Sequence, residues 1–138
     1  MKNDTMKARS ILEEKGYTCV VCRGEDVYTA TERGVKPLLN WLDSGMELTG
    51  FCAADKVVGR ATAFLYSLLG VQEVYAHVMS HPAAEVLKKY GISAHAGQLT
   101  DGIINRKGTG PCPFEAAVMD IQDSRDALTA IREKMRSM

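Results

Sequence analysis

The order of the periodic segments is what most limits the fold of this chain. Tyr17–Arg23 and Val27–Thr31 are strand-like runs separated only by Gly24-Glu25-Asp26. Two such runs around so short a turn read as a hairpin. Segments of helical spacing and strand-like runs alternate after it. A hairpin feeding alternating helices and strands predicts a three-layer α/β/α domain with a mixed sheet and helices on both faces. The alternating units are expected to be parallel, with right-handed crossovers. At 138 residues the chain suits one domain, residues 1–138.

Local signals place the elements. Asp4 or Thr5 can cap a first helix that Gly16 ends. Pro37 stands near the start of a short helix with Val35, Leu38, Leu39 and Leu42 on one face, stopped by Gly45. Leu48–Cys52 reads as a short strand. Ala54–Leu69 carries the strongest helical pattern, with Val57, Val58, Ala61, Phe64, Leu65, Leu68 and Leu69 in step. Gly59 inside it costs about 1 kcal/mol against alanine and implies close packing against a neighbouring backbone. Glu73–Met79 is a strand. Ser80 then caps a helix with Pro82 in its first turn and Gly91 at its end, and Ile92–His95 is a short strand. Gln98–Gly110 is extended or partly helical. A helix follows Pro113, and Asp123 or Ser124 caps a last one bearing Leu128, Ile131 and Met135.

Charge and cysteine usage narrow the function classes. Lys+Arg and Asp+Glu both number 17, whereas a general nucleic-acid binder is normally basic. No apolar run reaches membrane-spanning length, and the charged start MKNDTMKARSILEEKG does not suit a secretory signal. A cytoplasmic location with reduced thiols is expected. Cys19 and Cys22 form a CxxC, but three residues along a strand put them on opposite faces. With no second pair to complete a zinc site, both read as buried structural thiols. No metal and no cofactor are expected.

Three stretches, Arg33-Gly34-Val35-Lys36-Pro37-Leu38-Leu39, Ala54-Asp55-Lys56-Val57-Val58-Gly59, and Ile104-Asn105-Arg106 running to Gly108-Thr109-Gly110-Pro111-Cys112-Pro113, carry a family likeness. With the element order, they make the chain resemble a small prokaryotic family of unknown function assigned to the cytidine-deaminase-like fold. True deaminases carry H-x-E or C-x-E at one helix start and P-C-x-x-C at the next, for zinc and proton transfer. With the helices starting at Cys52-Ala53-Ala54 and Pro82-Ala83-Ala84-Glu85-Val86, one zinc ligand survives at most. The resemblance therefore implies the fold without zinc-dependent deamination.

In open α/β sheets ligands bind beyond the carboxyl ends of the strands. Arg33–Pro37, Cys52–Lys56, Ser80–Pro82 and Asn105–Glu115 are expected to gather there. Lys56, read as lying in a helix first turn, opposes the helix dipole and calls for an anion, unless Asp55 supplies it or Lys56 faces water. Asn105, Arg106, Thr109 and Gly110 have the chemistry of an anion-binding loop, or form a surface turn. Cys112 stands before a helix, where thiolate is favoured, and Glu115 can cap that same helix. Arg33 and Lys36, flanking Gly34 before a helix, are ligand-binding cations or solvated surface charges. Trp41, off the apolar face of its helix, hints at a partner surface. The leading expectation is a binding protein for a small anionic ligand such as a nucleotide or sugar phosphate. The alternatives are an enzyme using Asp55 and Lys56 as acid and base or Cys112 as nucleophile, and a homo-oligomeric interaction module.

Overall fold

The computed structural model describes residues 1–104, 108 and 112–138. Among the described residues the elements follow in the order α1 (Asn3–Lys15), β1 (Cys19–Arg23), β2 (Asp26–Ala30), α2 (Lys36–Asp43), β3 (Cys52–Val58), α3 (Arg60–Leu69), β4 (Glu73–Ser80), α4 (His81–Lys89), β5 (Ser93–Thr100), α5 (Pro113–Val118) and α6 (Ser124–Arg136). The sheet runs β2-β1-β3-β4-β5. β1 is antiparallel to both β2 and β3, while β3, β4 and β5 are parallel. The hairpin and the parallel α/β units are thus as the element order predicts.

The two sheet faces are covered unequally. Among the described residues α1 alone covers one, where Ala8 and Leu12 meet Val20, Cys22, Ala54 and Tyr75. The other face carries the main core, in which Val21, Ala53, Val74 and Ala76 pack beneath residues of α2, α3, α4, α5 and α6. Cys19 and Cys22 fall in different cores, as strand alternation requires, and both are buried free thiols.

The largest departure from the sequence pattern lies at residues 52–59. The expected helix over Ala54–Leu69 is a strand as far as Val58, and only then a helix. The expected strand over Leu48–Cys52 is instead a turn that buries Leu48 and Phe51. Pairing decides this. β3 lies in the middle of the sheet, bonded to β1 on one side and β4 on the other, and that ladder outweighs the helix preference of two alanines. Inward-facing Val58 stands three residues before inward-facing Ala61, so an apolar spacing of helical type runs unbroken across the junction. β5 extends to Thr100, well past the expected His95. Trp41 is partly buried against the main core.

Two helices take caps from far along the chain. Neither Lys2 before α1 nor Gly59 before α3 has a side-chain cap of its own. Glu73 accepts from the Lys2 N–H at 2.7 Å and the Thr5 hydroxyl at 2.5 Å. Asp4, expected as a cap, instead accepts from Gly24 N–H and ties the hairpin turn to α1. By contrast Ser80 and Asp123 cap α4 and α6 locally, as their sequences indicate.

Candidate functional site

The site is built around the last inward-facing acid of β3. Asp55 follows Ala53 on the main-core face, and its side chain is held under the first turns of α3. Tyr66 donates its hydroxyl to Asp55 Oδ2 at 2.7 Å, and the Cys19 sulfur lies 3.1 Å from the same hydroxyl. Val57 N–H makes a longer contact to Asp55 Oδ1, 3.4 Å. Asp55 is 7% exposed, and among the described residues it makes no ion pair. Burial without a counter-ion disfavours the charged form. It raises the carboxyl from its ordinary 3.8 to about 7, against the opposing bonds from Tyr66 and the Val57 amide. The same burial, with Asp55 close by, pushes the Tyr66 hydroxyl and the Cys19 thiol well up.

Asp55 opens onto a cavity of about 530 Å³ at the carboxyl end of β3. Arg33, Gly34 and Val35 form one wall. Lys56 and Val57 continue the strand along it, and Gly59, Ala61 and Thr62 bring the start of α3 to it. Cys112, Phe114 and Glu115 close it from α5. Arg33 and Lys56 are exposed and, among the described residues, make no ion pair.

Glu115 does not cap its own helix. It reaches the N-terminus of α3, accepting from Arg60 N–H at 2.6 Å and Ala61 N–H at 2.8 Å. A carboxylate there satisfies orphan amides and faces the positive end of the helix. Gly59 makes room for it: a Cβ at that position would overlap the Glu115 carboxylate. The expected neighbour of Gly59 was a backbone; its actual neighbour is an acid 56 residues further along.

Residues 7–135 match the family described as domain of unknown function DUF1893. The chain belongs to the DUF1893 family. A solved DUF1893 protein from Thermotoga maritima shares its fold, with 24% identity and a TM-score of 0.86 over 100% of this chain and 92% of that one. The apo dCMP deaminase of cyanophage S-TIM5 is a more distant structural neighbour, 14% identical with a TM-score of 0.47, matching 70% of this chain and 99% of that one. No curated protein sequence is significantly similar.

This DUF1893 chain lacks the deaminase zinc motifs, though the helix starts differ from those the sequence suggested. α3 opens with Gly59-Arg60-Ala61 rather than Cys52-Ala53-Ala54, and α4 opens with His81-Pro82-Ala83-Ala84 after its Ser80 cap. Neither start carries a zinc-binding sequence. Among the described residues no three His, Cys, Asp or Glu side chains are grouped to hold a metal ion, so the residues present do not fit deaminase zinc.

The remaining candidates divide. Arg33, Asp55, Lys56 and Cys112 line one cavity. Lys36 lies off it, paired with Glu32 at 3.1 Å on the surface. Ser80–Pro82 also lie off it, and Ser80 is fully buried as a cap. Asn105, Arg106, Thr109 and Gly110 lie outside the described residues. Lys56 does not stand where its sequence context suggests. It stands on a strand, not in a helix first turn, and it alternates with Asp55, so Asp55 is buried where Lys56 is exposed. Asp55 and Lys56 therefore meet the cavity differently, the acid from a buried position and the lysine from an exposed one. Tyr66 and the distant reach of Glu115 were not legible in the sequence. Tyr66 looks like one more apolar position of a helix, and nothing in the chain order joins it to Cys19.

Proposed function

We propose that the cavity binds a small anionic metabolite of nucleotide or sugar-phosphate type, with Arg33 and Lys56 meeting its charge. The observation that carries this reading is the pair of rim cations that no acid among the described residues engages, beside a concave site of ligand-binding size. Pockets for small molecules run from roughly 300 to 1,000 Å³, and this one is about 530 Å³. Arg33 offers a fork of donors for a planar or tetrahedral anion and Lys56 a point charge. The start of α3, often an anion site in other folds, is filled here by Glu115, so the ligand's charge belongs at the rim.

Native mass spectrometry of freshly purified protein tests the reading. The expected spectrum shows a retained anionic organic mass, lost from a Lys56→Ala variant. Undiminished retention in the variant overturns the role of Lys56. A bare chain that millimolar nucleoside and sugar phosphates do not stabilise against heat overturns the binding reading itself.

A further inference from the structure

The cavity floor has its own chemistry, opposite in sign to the rim. Tyr66 has a single hydroxyl proton, which goes to Asp55 Oδ2. The Cys19 thiol is therefore the donor to the Tyr66 oxygen. The Val57 amide also points its proton at Asp55. All these protein contacts donate towards the carboxyl, an arrangement that suits its ionised form. Yet the described residues supply no cation to complete it. The charged and titratable groups around Asp55 are Cys19 of β1, Tyr66 of α3, Lys56 and Arg33 at the rim, and Cys112 and Glu115 across the cavity. The Glu115 carboxylate is engaged by two backbone amides, which leaves Asp55 as the acid whose remaining capacity faces the cavity.

We propose that Asp55 binds a protonated nitrogen of the ligand, an ammonium or amidinium group, so that the site takes a molecule with a cationic end at the floor and an anionic end at Arg33 and Lys56. The anionic end rests on the reading above; the cationic end rests on the donor pattern around Asp55 alone. An ammonium at the floor supplies the missing counter-ion and turns a costly buried carboxylate into a paired one. A ligand acceptor, such as a carbonyl, would instead need Asp55 to keep its proton. Binding of the cationic group draws Asp55 into its ionised form and releases a proton near neutral pH.

Cys112 is the reporter for the test. It lines the cavity and is partly exposed, whereas Cys19, Cys22 and Cys52 are buried. The full chain is treated with methyl, 2-aminoethyl and 2-sulfonatoethyl methanethiosulfonate, which are neutral, cationic and anionic. In each case the Cys112 thiolate attacks the sulfenyl sulfur. A new S–S bond forms as the S–SO2 bond breaks, and methanesulfinate leaves with the electron pair. Dividing each charged rate by the neutral rate at the same pH cancels the thiolate fraction. Dividing again by the same ratio for free cysteine cancels intrinsic reactivity.

The cationic ratio is expected to exceed unity by roughly three- to tenfold, the size expected for unit charges a few ångströms apart in water. It should rise as Asp55 ionises around pH 7 and fall towards unity in Asp55→Asn. A ratio near one and flat with pH in the unmodified sequence overturns the proposal, and needs no variant to fold. An elevated ratio unchanged in Asp55→Asn overturns it too and transfers the effect to Glu115. The anionic ratio, compared with Lys56→Gln, tests the rim separately: its failure removes the anionic end and leaves the floor assignment standing. A Cys112 that the methyl reagent cannot reach in the folded chain overturns both.

Discussion

Asp55→Asn should make the protein more stable at pH 8 and leave its stability at pH 4 little changed relative to the parent. The carboxyl is buried, unpaired among the described residues, and raised from 3.8 to about 7. Each pKa unit is worth about 1.4 kcal/mol, so ionising Asp55 inside the fold costs about 4 kcal/mol relative to the unfolded chain. The sign follows from proton counts. Between pH 4 and 7 the unfolded chain has lost the Asp55 proton and the folded one retains it. Stability is therefore greatest below the unfolded value and falls as pH rises through the folded value, by up to ~1.4 kcal/mol per pH unit. Asparagine carries no proton to lose, and its carbonyl still accepts from Tyr66. Urea unfolding followed by circular dichroism at pH 4, 5, 6, 7 and 8 gives the difference between the two proteins, in which all other titrating groups cancel. That difference should move by about 4 kcal/mol in favour of the variant, a large part of the ~5–15 kcal/mol that holds a domain of this size together. A difference independent of pH would refute the argument, because it would mean that Asp55 ionises in the ordinary carboxylate range despite its burial.

Further variants test the long-range caps. Glu115→Ala should destabilise the protein by ~1–2 kcal/mol through loss of the α3 cap. Gly59→Ala should cost a similar amount by expelling the same carboxylate, and the double variant should cost little more than either alone; full additivity in a urea-unfolding cycle would show that the two act separately. Burial pushes the Glu73 carboxyl up, but the bonds from Thr5, the Lys2 amide and His95 outweigh it and hold it below the usual range. Its stabilisation is present above the unfolded value near 4.5 and is lost as pH falls through the folded one. Glu73→Gln should therefore flatten the acid side of a melting-temperature profile, and an unchanged acid limb would contradict the assignment.

Much of the fold was legible because its signals are local. Gly24-Glu25-Asp26 between two β-rich runs specifies a hairpin whatever surrounds it, and the hairpin is there. Ser80 followed by Pro82, and Asp123 before Ser124, write helix starts into three or four residues, and both helices begin there. The separation of Cys19 from Cys22 follows from strand alternation alone. Residues 54–58 carry a helical pattern yet form a strand, because the force that extends them is not local. Cys52–Val58 are extended because β1 and β4 flank them, and their alanines and the run on to Ala61 mimic a helix. That mimicry carried Lys56 to a helix end it does not occupy.

The sequence by itself determined the element types at capped and turn-bounded segments, the parallel half of the sheet, the opposite burial of the two thiols, and the absence of a deaminase zinc motif. Each follows from residue spacing over a few positions. Only the tertiary structure decided that β3 is a central strand, that Glu73 and Glu115 cap helices 71 and 55 residues away from their amide partners, and that Cys19, Tyr66 and Asp55 meet beneath the cavity. The physical reason is common to all three. Backbone amides and buried carboxyls must find partners, and which partner lies within reach depends on how the elements pack, not on where they stand in the chain.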